Sequence, residues 1–130
     1  MAHAPLVLAV VAQGTSIRCT HAVADGASWL PLCQSVVDQL PTATHSRNSQ
    51  QHDGYCVHYI QQESGAVWMV VGRADTSRRV SFSFLEHVIH HCTGCGPEDD
   101  WSDGTIAAAM GAILQTQMEY FNTLPSAEDV

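Results

Sequence analysis

Two stretches of this chain are apolar almost without interruption, and they limit its fold more than any other feature. Residues 6–13 read Leu-Val-Leu-Ala-Val-Val-Ala before Gln13, and residues 66–72 read Ala-Val-Trp-Met-Val-Val-Gly. A strand with one wet face alternates in polarity. These two do not, so each belongs in the middle of a sheet covered on both sides. Their neighbours do alternate. Ile17, Cys19, His21 and Val23 stand against Arg18, Thr20, Ala22 and Ala24, while Tyr55, Val57 and Tyr59 stand against Cys56, His58 and Ile60. Short turns at residues 13–16 and 63–65 join each pair into a β-hairpin.

Covering both faces takes helices, and the sequence supplies three. Ser28 is placed to cap the first, with Pro31 tolerated in its first turn. Trp29, Leu32, Cys33, Val36, Val37 and Leu40 recur at helical spacing before Pro41 stops it. Asp75 or Thr76 is expected to cap the second, whose stripe is Val80, Phe84, Leu85, Val88, Ile89 and Cys92, ending at residues 94–97. The third runs from about Asp103 to Asn122 with Ile106, Met110, Ile113, Leu114, Met118 and Phe121 on one face. Residues 42–54 are polar and read as a loop with one weak edge strand near 47–52. The order is β-β-α-(β)-β-β-α-α, a single α/β domain with helices on both faces of one sheet.

Composition narrows the partners. Five basic residues against 13 acidic ones give a net charge of −8, which argues against nucleic acid or anionic lipid as a direct partner. The five cysteines are odd in number and scattered, the pattern of reduced thiols in a cytosolic compartment and not of a secreted disulfide scaffold. No apolar stretch approaches the roughly 18–20 residues that cross a bilayer. The apolar start lacks the basic flank of a signal peptide and continues into a second strand, so it is read as a buried strand.

Chemistry is sparse. The sharpest cluster is His90-His91-Cys92-Thr93-Gly94-Cys95, whose sulfur and imidazole groups suit zinc. A second Cys/His pair to complete a tetrahedron does not follow. As a redox pair, Cys92 and Cys95 end a helix, whereas a thioredoxin-like pair opens one, where the helix dipole lowers the thiol pKa. The simpler reading puts Cys92 in the apolar stripe and Cys95 in a loop. No nucleophile elbow, His-Glu-x-x-His helix or P-loop is present, so no catalytic residue and no cofactor is expected. Arg78-Arg79 could meet an anion at a helix start, with surface residues beside Asp75 the plainer reading. The first helix carries apolar residues beyond one narrow stripe: Trp29, Leu30, Cys33, Val36 and Val37. Either it is deeply buried or it leaves an apolar patch open to another protein.

Five segments in order resemble the longin domain, the N-terminal module of long vesicle SNAREs of the synaptobrevin-like type. They are Leu8 to Thr15, Leu40-Pro41, Asp53 to Tyr59, Ala74 to Val88 with its Phe84-Leu85-Glu86, and Gln117 to Tyr120. The resemblance implies a five-stranded antiparallel sheet with one helix on one face and two on the other. It implies a longin domain over 1–123 and the start of a linker at 124–130, with a SNARE helix and a C-terminal membrane anchor expected beyond. It also implies a non-catalytic regulatory and sorting role at the cytoplasmic face of post-Golgi, endosomal or vesicle membranes, with the protein's own or a partner SNARE helix and trafficking adaptors as partners. A stand-alone longin-like subunit of a tethering or adaptor complex is the related alternative. The family's groove, between the first helix and the following edge strand, maps onto Trp29, Leu30, Cys33, Val36 and Val37 with Asn48, Ser49, Gln50 and Gln51. Where the family often has apolar side chains on that strand, this chain is polar. An apolar partner therefore gains less there, at about 25 cal/mol per Å².

Overall fold

The computed structural model describes residues 5–23, 26–40, 45–95, 101 and 103–123. The expected stop at Pro41, the acidic stretch 98–100 and the linker 124–130 lie outside these residues. The strands are β1 (Leu6–Gln13), β2 (Ser16–Ala22), β3 (Ser46–His52), β4 (Tyr55–Gln61) and β5 (Ala66–Arg73). They form one sheet in the order β2-β1-β5-β4-β3, every pairing antiparallel. β1 and β5 lie side by side in the centre, as their unbroken apolar runs require.

Helix α1 (Leu30–Gln39) covers one face, and α2 (Arg78–Cys92) with α3 (Gly104–Asn122) covers the other. Alternation sorts the strand residues between two cores. Val10, Ala12, Val57, Tyr59, Val67, Met69 and Val71 pack under α1 with Cys33, Val36 and Val37. Ala9, Val11, Ile60, Trp68 and Val70 meet Phe84, Leu85, Val88, Met110, Leu114, Met118 and Phe121. Each large side chain buried in this way contributes about 1.5–3 kcal/mol. A bulge between Leu6 and Leu8 puts Val7 and Leu8 in the same core, which breaks β1's strict alternation.

Three boundaries differ from expectation. Ser28 does not cap α1. Residues Gly26–Trp29 form a 3-10 turn that runs directly into the helix, and Trp29 at the junction makes no side-chain cap. Helix α2 is capped by Ser77, whose Oγ accepts the Arg79 N–H at 3.1 Å. Thr76 instead donates its hydroxyl to the Pro5 carbonyl at 3.5 Å, and Asp75 pairs with Arg73 at 3.8 Å. The weak strand near 47–52 is real and one residue longer at its start. Its hairpin with β4 closes at Asp53-Gly54, both with positive φ (45° and 83°), the two-residue turn that matches strand twist.

Two core residues gave no clear sequence signal. Ser81 and Phe82 are buried on α2 outside the expected stripe. Ser81 lies beside Gly72 of β5, where a side chain would crowd Leu6 and the Pro5 carbonyl at 3.1 Å. Trp101 is also buried and meets Trp68 edge to face at 5.3 Å.

A candidate groove between the first helix and the edge strand

β3 is the last strand of the sheet and β4 separates it from the strands beneath α1. Because side chains alternate, the floor of this region is Tyr55, Val57 and Tyr59 of β4, on the α1 side. Register then assigns β3. Asn48 stands opposite Tyr59 and Gln50 opposite Val57, so both belong to the α1 side. Ser49 stands opposite His58 and Gln51 opposite Cys56, on the side facing α2. The Ser49 hydroxyl and His58 Nδ1 share a hydrogen bond of 2.7 Å, and the His58 ring meets Phe82 of α2 at 5.4 Å.

The nine residues expected at the groove therefore divide four ways. Cys33, Val36 and Val37 are buried under α1 and form its anchor in the core. Trp29 and Leu30 are half-buried and pack on that core from outside, with Leu32 and Leu40 beside them. Asn48 and Gln50 border the same side, while Ser49 and Gln51 turn away from it. The Trp29 ring lies 4.9 Å from Tyr55 in a tilted contact and closes the distance from the helix entry to β4. Tyr55, Leu32 and Leu40 were not assigned to the groove from the sequence. For Tyr55 the signal was present, since it alternates in phase with Val57 and Tyr59.

The edge itself is polar. Asn48 Oδ1 accepts the Ser49 N–H at 3.1 Å, and Gln50 Oε1 lies 3.3 Å from His52 Nε2. His58 is fully buried, and its Nε2 has no hydrogen-bond partner among the described residues. Burial, with the Arg78 charge as a smaller cause, lowers its pKa, so the neutral ring is favoured.

Cys92 and Cys95 are neighbours, but His90, His91, Cys92 and Cys95 do not come together as one ligand set. Both histidines are exposed, and His91 Nδ1 donates to the His87 carbonyl at 2.7 Å. Cys92 is fully buried. Among the described residues no group of three or more His, Cys, Asp or Glu side chains could hold a metal ion. Burial pushes the Cys92 thiol up to about 12, helped by Cys95 beside it. Cys33 is raised to about 12 by burial, and Cys19 to about 11 by burial and then Cys95. A maleimide at neutral pH should accordingly label Cys56 and Cys95, the two partly exposed cysteines, and reach Cys19, Cys33 and Cys92 after unfolding. Mass spectrometry counts the adducts; five rapid adducts on the native protein would contradict this burial.

A family profile described as Longin, a regulated-SNARE-like domain, matches residues 23–118. The chain belongs to the longin family. It is similar to vesicle-associated membrane protein 7 of mouse, 31% identical over 83 residues that cover 64% of this chain and 36% of the relative. The human protein of that name is 29% identical over the same length. Vesicle-associated membrane protein 712 of Arabidopsis thaliana is 23% identical over 137 aligned positions, covering 96% of this chain and 57% of the relative. The chain thus spans between about a third and somewhat over half of the curated relatives it matches. As a longin domain of this SNARE-like kind, it is not an enzyme. Among the described residues no helix is long and apolar enough to cross a membrane.

Proposed function

We propose that this longin domain regulates and sorts a vesicle SNARE by holding a protein segment in the groove between α1 and β3. The segment is a SNARE helix, the protein's own or a partner's, or a trafficking adaptor. Its place of action is the cytoplasmic face of post-Golgi, endosomal or vesicle membranes. The relatives are vesicle-associated membrane proteins by name, which supports the trafficking role. The observation that carries the reading is the half-buried apolar line of Trp29, Leu30, Leu32, Leu40 and Tyr55 beside a strand edge that no other described strand pairs with. Such a line offers an aromatic anchor with apolar flanks, the arrangement that concentrates binding energy. Asn48 and Gln50 make the far wall polar, so a partner that brings hydrogen-bonding groups to that side fits better than a wholly apolar helix.

The test is a titration of the ¹⁵N-labelled domain with a synthetic SNARE-helix peptide bearing apolar residues in heptad spacing. Shifts are expected at Trp29, Leu30, Asn48 and Gln50, with Trp29→Ala weakening binding about tenfold or more, as for a central aromatic anchor. Unmoved signals along residues 29–40 at millimolar peptide would refute the groove.

A further inference from the structure

The opposite side of β3 carries a second feature that the groove does not use. All five basic residues of the chain are arginine, and three of them, Arg47, Arg78 and Arg79, line one open concavity of about 420 Å³ with Phe82, Ser83 and Glu86. In a chain of net charge −8 this gathers most of the positive charge in one place. The Arg47 and Arg78 guanidinium carbons lie over the Phe82 ring at 5.2 and 5.6 Å. Both cations are therefore held on one aromatic plate. Glu86 Oε2 answers Arg47 at 2.8 Å and is the acidic residue in the lining.

The helix end itself does not favour this arrangement. Arg78 and Arg79 occupy the first turn of α2, which has no acidic residue, although the positive end of a helix dipole favours anions there. Two arginines thus sit where the helix dipole favours an anion. An anion bound beside them would meet both the arginines and the positive end of the helix dipole. Three guanidiniums, each with a planar fork of donors, match the several oxygens and roughly −1.5 to −2 charge of a phosphate monoester better than one carboxylate.

The strand supplies the rest. In a hairpin closed by a two-residue turn, the flanking pair His52 and Tyr55 is hydrogen-bonded, and the bonded pairs recur every second residue. The backbone N–H and C=O groups of Arg47, Ser49 and Gln51 therefore point outward along the open edge. The bond from the Ser49 N–H to Asn48 Oδ1 agrees with this, since a ladder-bonded N–H would have no need of that acceptor. An extended segment added to the edge would place the side chain opposite Arg47 on the face of the concavity. Asn48 would have to release the Ser49 N–H to admit it.

We propose that Arg47, Arg78 and Arg79 recognise a phosphoserine or phosphothreonine in an extended segment of another protein laid along β3. A protein segment is favoured over an anionic membrane because a bilayer meets the whole domain's charge of −8. A short peptide meets mainly the charges within a Debye length of about 8–10 Å. The arginines lie across the strand from Trp29 and the groove floor, while the added segment would share the β3 edge with a groove occupant.

The experiment is fluorescence anisotropy on the 130-residue chain with a labelled Glu-Thr-Val-pSer-Val-Thr-Glu peptide. Its unphosphorylated form, inorganic phosphate and vesicles containing a phosphoinositide are the comparison arms. The phosphopeptide should bind at least tenfold more tightly than the unphosphorylated peptide, and Arg79→Gln and Arg78→Gln should each reduce that preference severalfold. Trp29→Ala should leave it unchanged, which separates this site from the groove. Circular dichroism confirms the fold of each variant, and Arg79→Gln, which leaves the Phe82 contacts in place, keeps the test open if Arg78→Gln unfolds. Equal affinity for the two peptides, free phosphate binding as tightly as the peptide, or vesicle binding with no peptide binding would each overturn the proposal.

Discussion

Replacing Gly26 with alanine should lower the stability of the domain by about 3 kcal/mol, the upper part of the usual range for forcing extra volume into a packed site. Gly26 is buried in the 3-10 turn before α1, and a Cβ built on it falls 1.8 Å from the carbonyl oxygen and 2.6 Å from the carbonyl carbon of Val7. Those atoms are backbone of the central strand, already fixed by a 2.9 Å hydrogen bond from the Val23 N–H to the Val7 carbonyl. No rotamer change relieves the clash, so the turn must lift away and carry Trp29 with it. The melting temperature should fall by on the order of 10 °C for a chain of this size. Gly104→Ala is the control. It starts α3 with nothing within 4 Å of the new methyl group, and should be neutral or stabilise by up to about 1 kcal/mol. A Gly26→Ala protein with native spectra and less than about 1 kcal/mol of lost stability would show that the turn is looser than its packing indicates.

The reason for Gly26 was not readable in the sequence, which marks only the nearby Ser28, as an expected cap. What it accommodates lies 19 positions earlier in the chain, and the local pattern carries no record of that approach. The contrast with β1 and β5 is instructive. Their central places follow from burial on two faces, a property each residue expresses locally, so the sheet order around them could be anticipated. The edge strand β3 was faint because its residues are polar on both sides. Its pairing with β4 is carried by the Asp53-Gly54 turn and by opposing partners such as Ser49 and His58. The candidate groove was partly readable for the same reason. Helical spacing showed that α1 has more apolar residues than one stripe needs. Only packing shows that Cys33, Val36 and Val37 are spent on the core, leaving Trp29 and Leu30 at its margin. Alternation along β3 could have separated Asn48 and Gln50 from Ser49 and Gln51, had the strand's phase been fixed against Tyr55. The arginine concavity joins β3 to the start of a helix more than 30 residues away, a juxtaposition no local pattern states.

Asn122→Ala is the second substitution expected to cost much, about 2 kcal/mol, and it does so without emptying any of the core. Asn122 is the last residue of α3, and its side-chain amide reaches back to the first residue of β1. Oδ1 accepts the Leu6 N–H at 2.9 Å, and Nδ2 donates to the Leu6 carbonyl at 3.0 Å. One amide thus satisfies both backbone groups of a residue whose side chain is fully buried, where the ladder has shifted at the Leu6–Leu8 bulge. Alanine leaves a donor and an acceptor unpaired, at about 1–3 kcal/mol each when water cannot reach them. Asn122 is only partly buried, so solvent recovers some of that loss. The amide also ties helix to strand across 116 residues of sequence, so its loss should loosen the end of α3 before the sheet. Hydrogen exchange reads this directly: protection at Leu6 and over the last turn of α3 should drop more than at Val10 or Met69. Asn122→Asp keeps the acceptor for the Leu6 N–H but sets a second oxygen against the Leu6 carbonyl, so it should recover little of the loss. A variant with alanine at this position and wild-type exchange at Leu6 would mean that the helix end is held by Phe121 and Met118 packing alone.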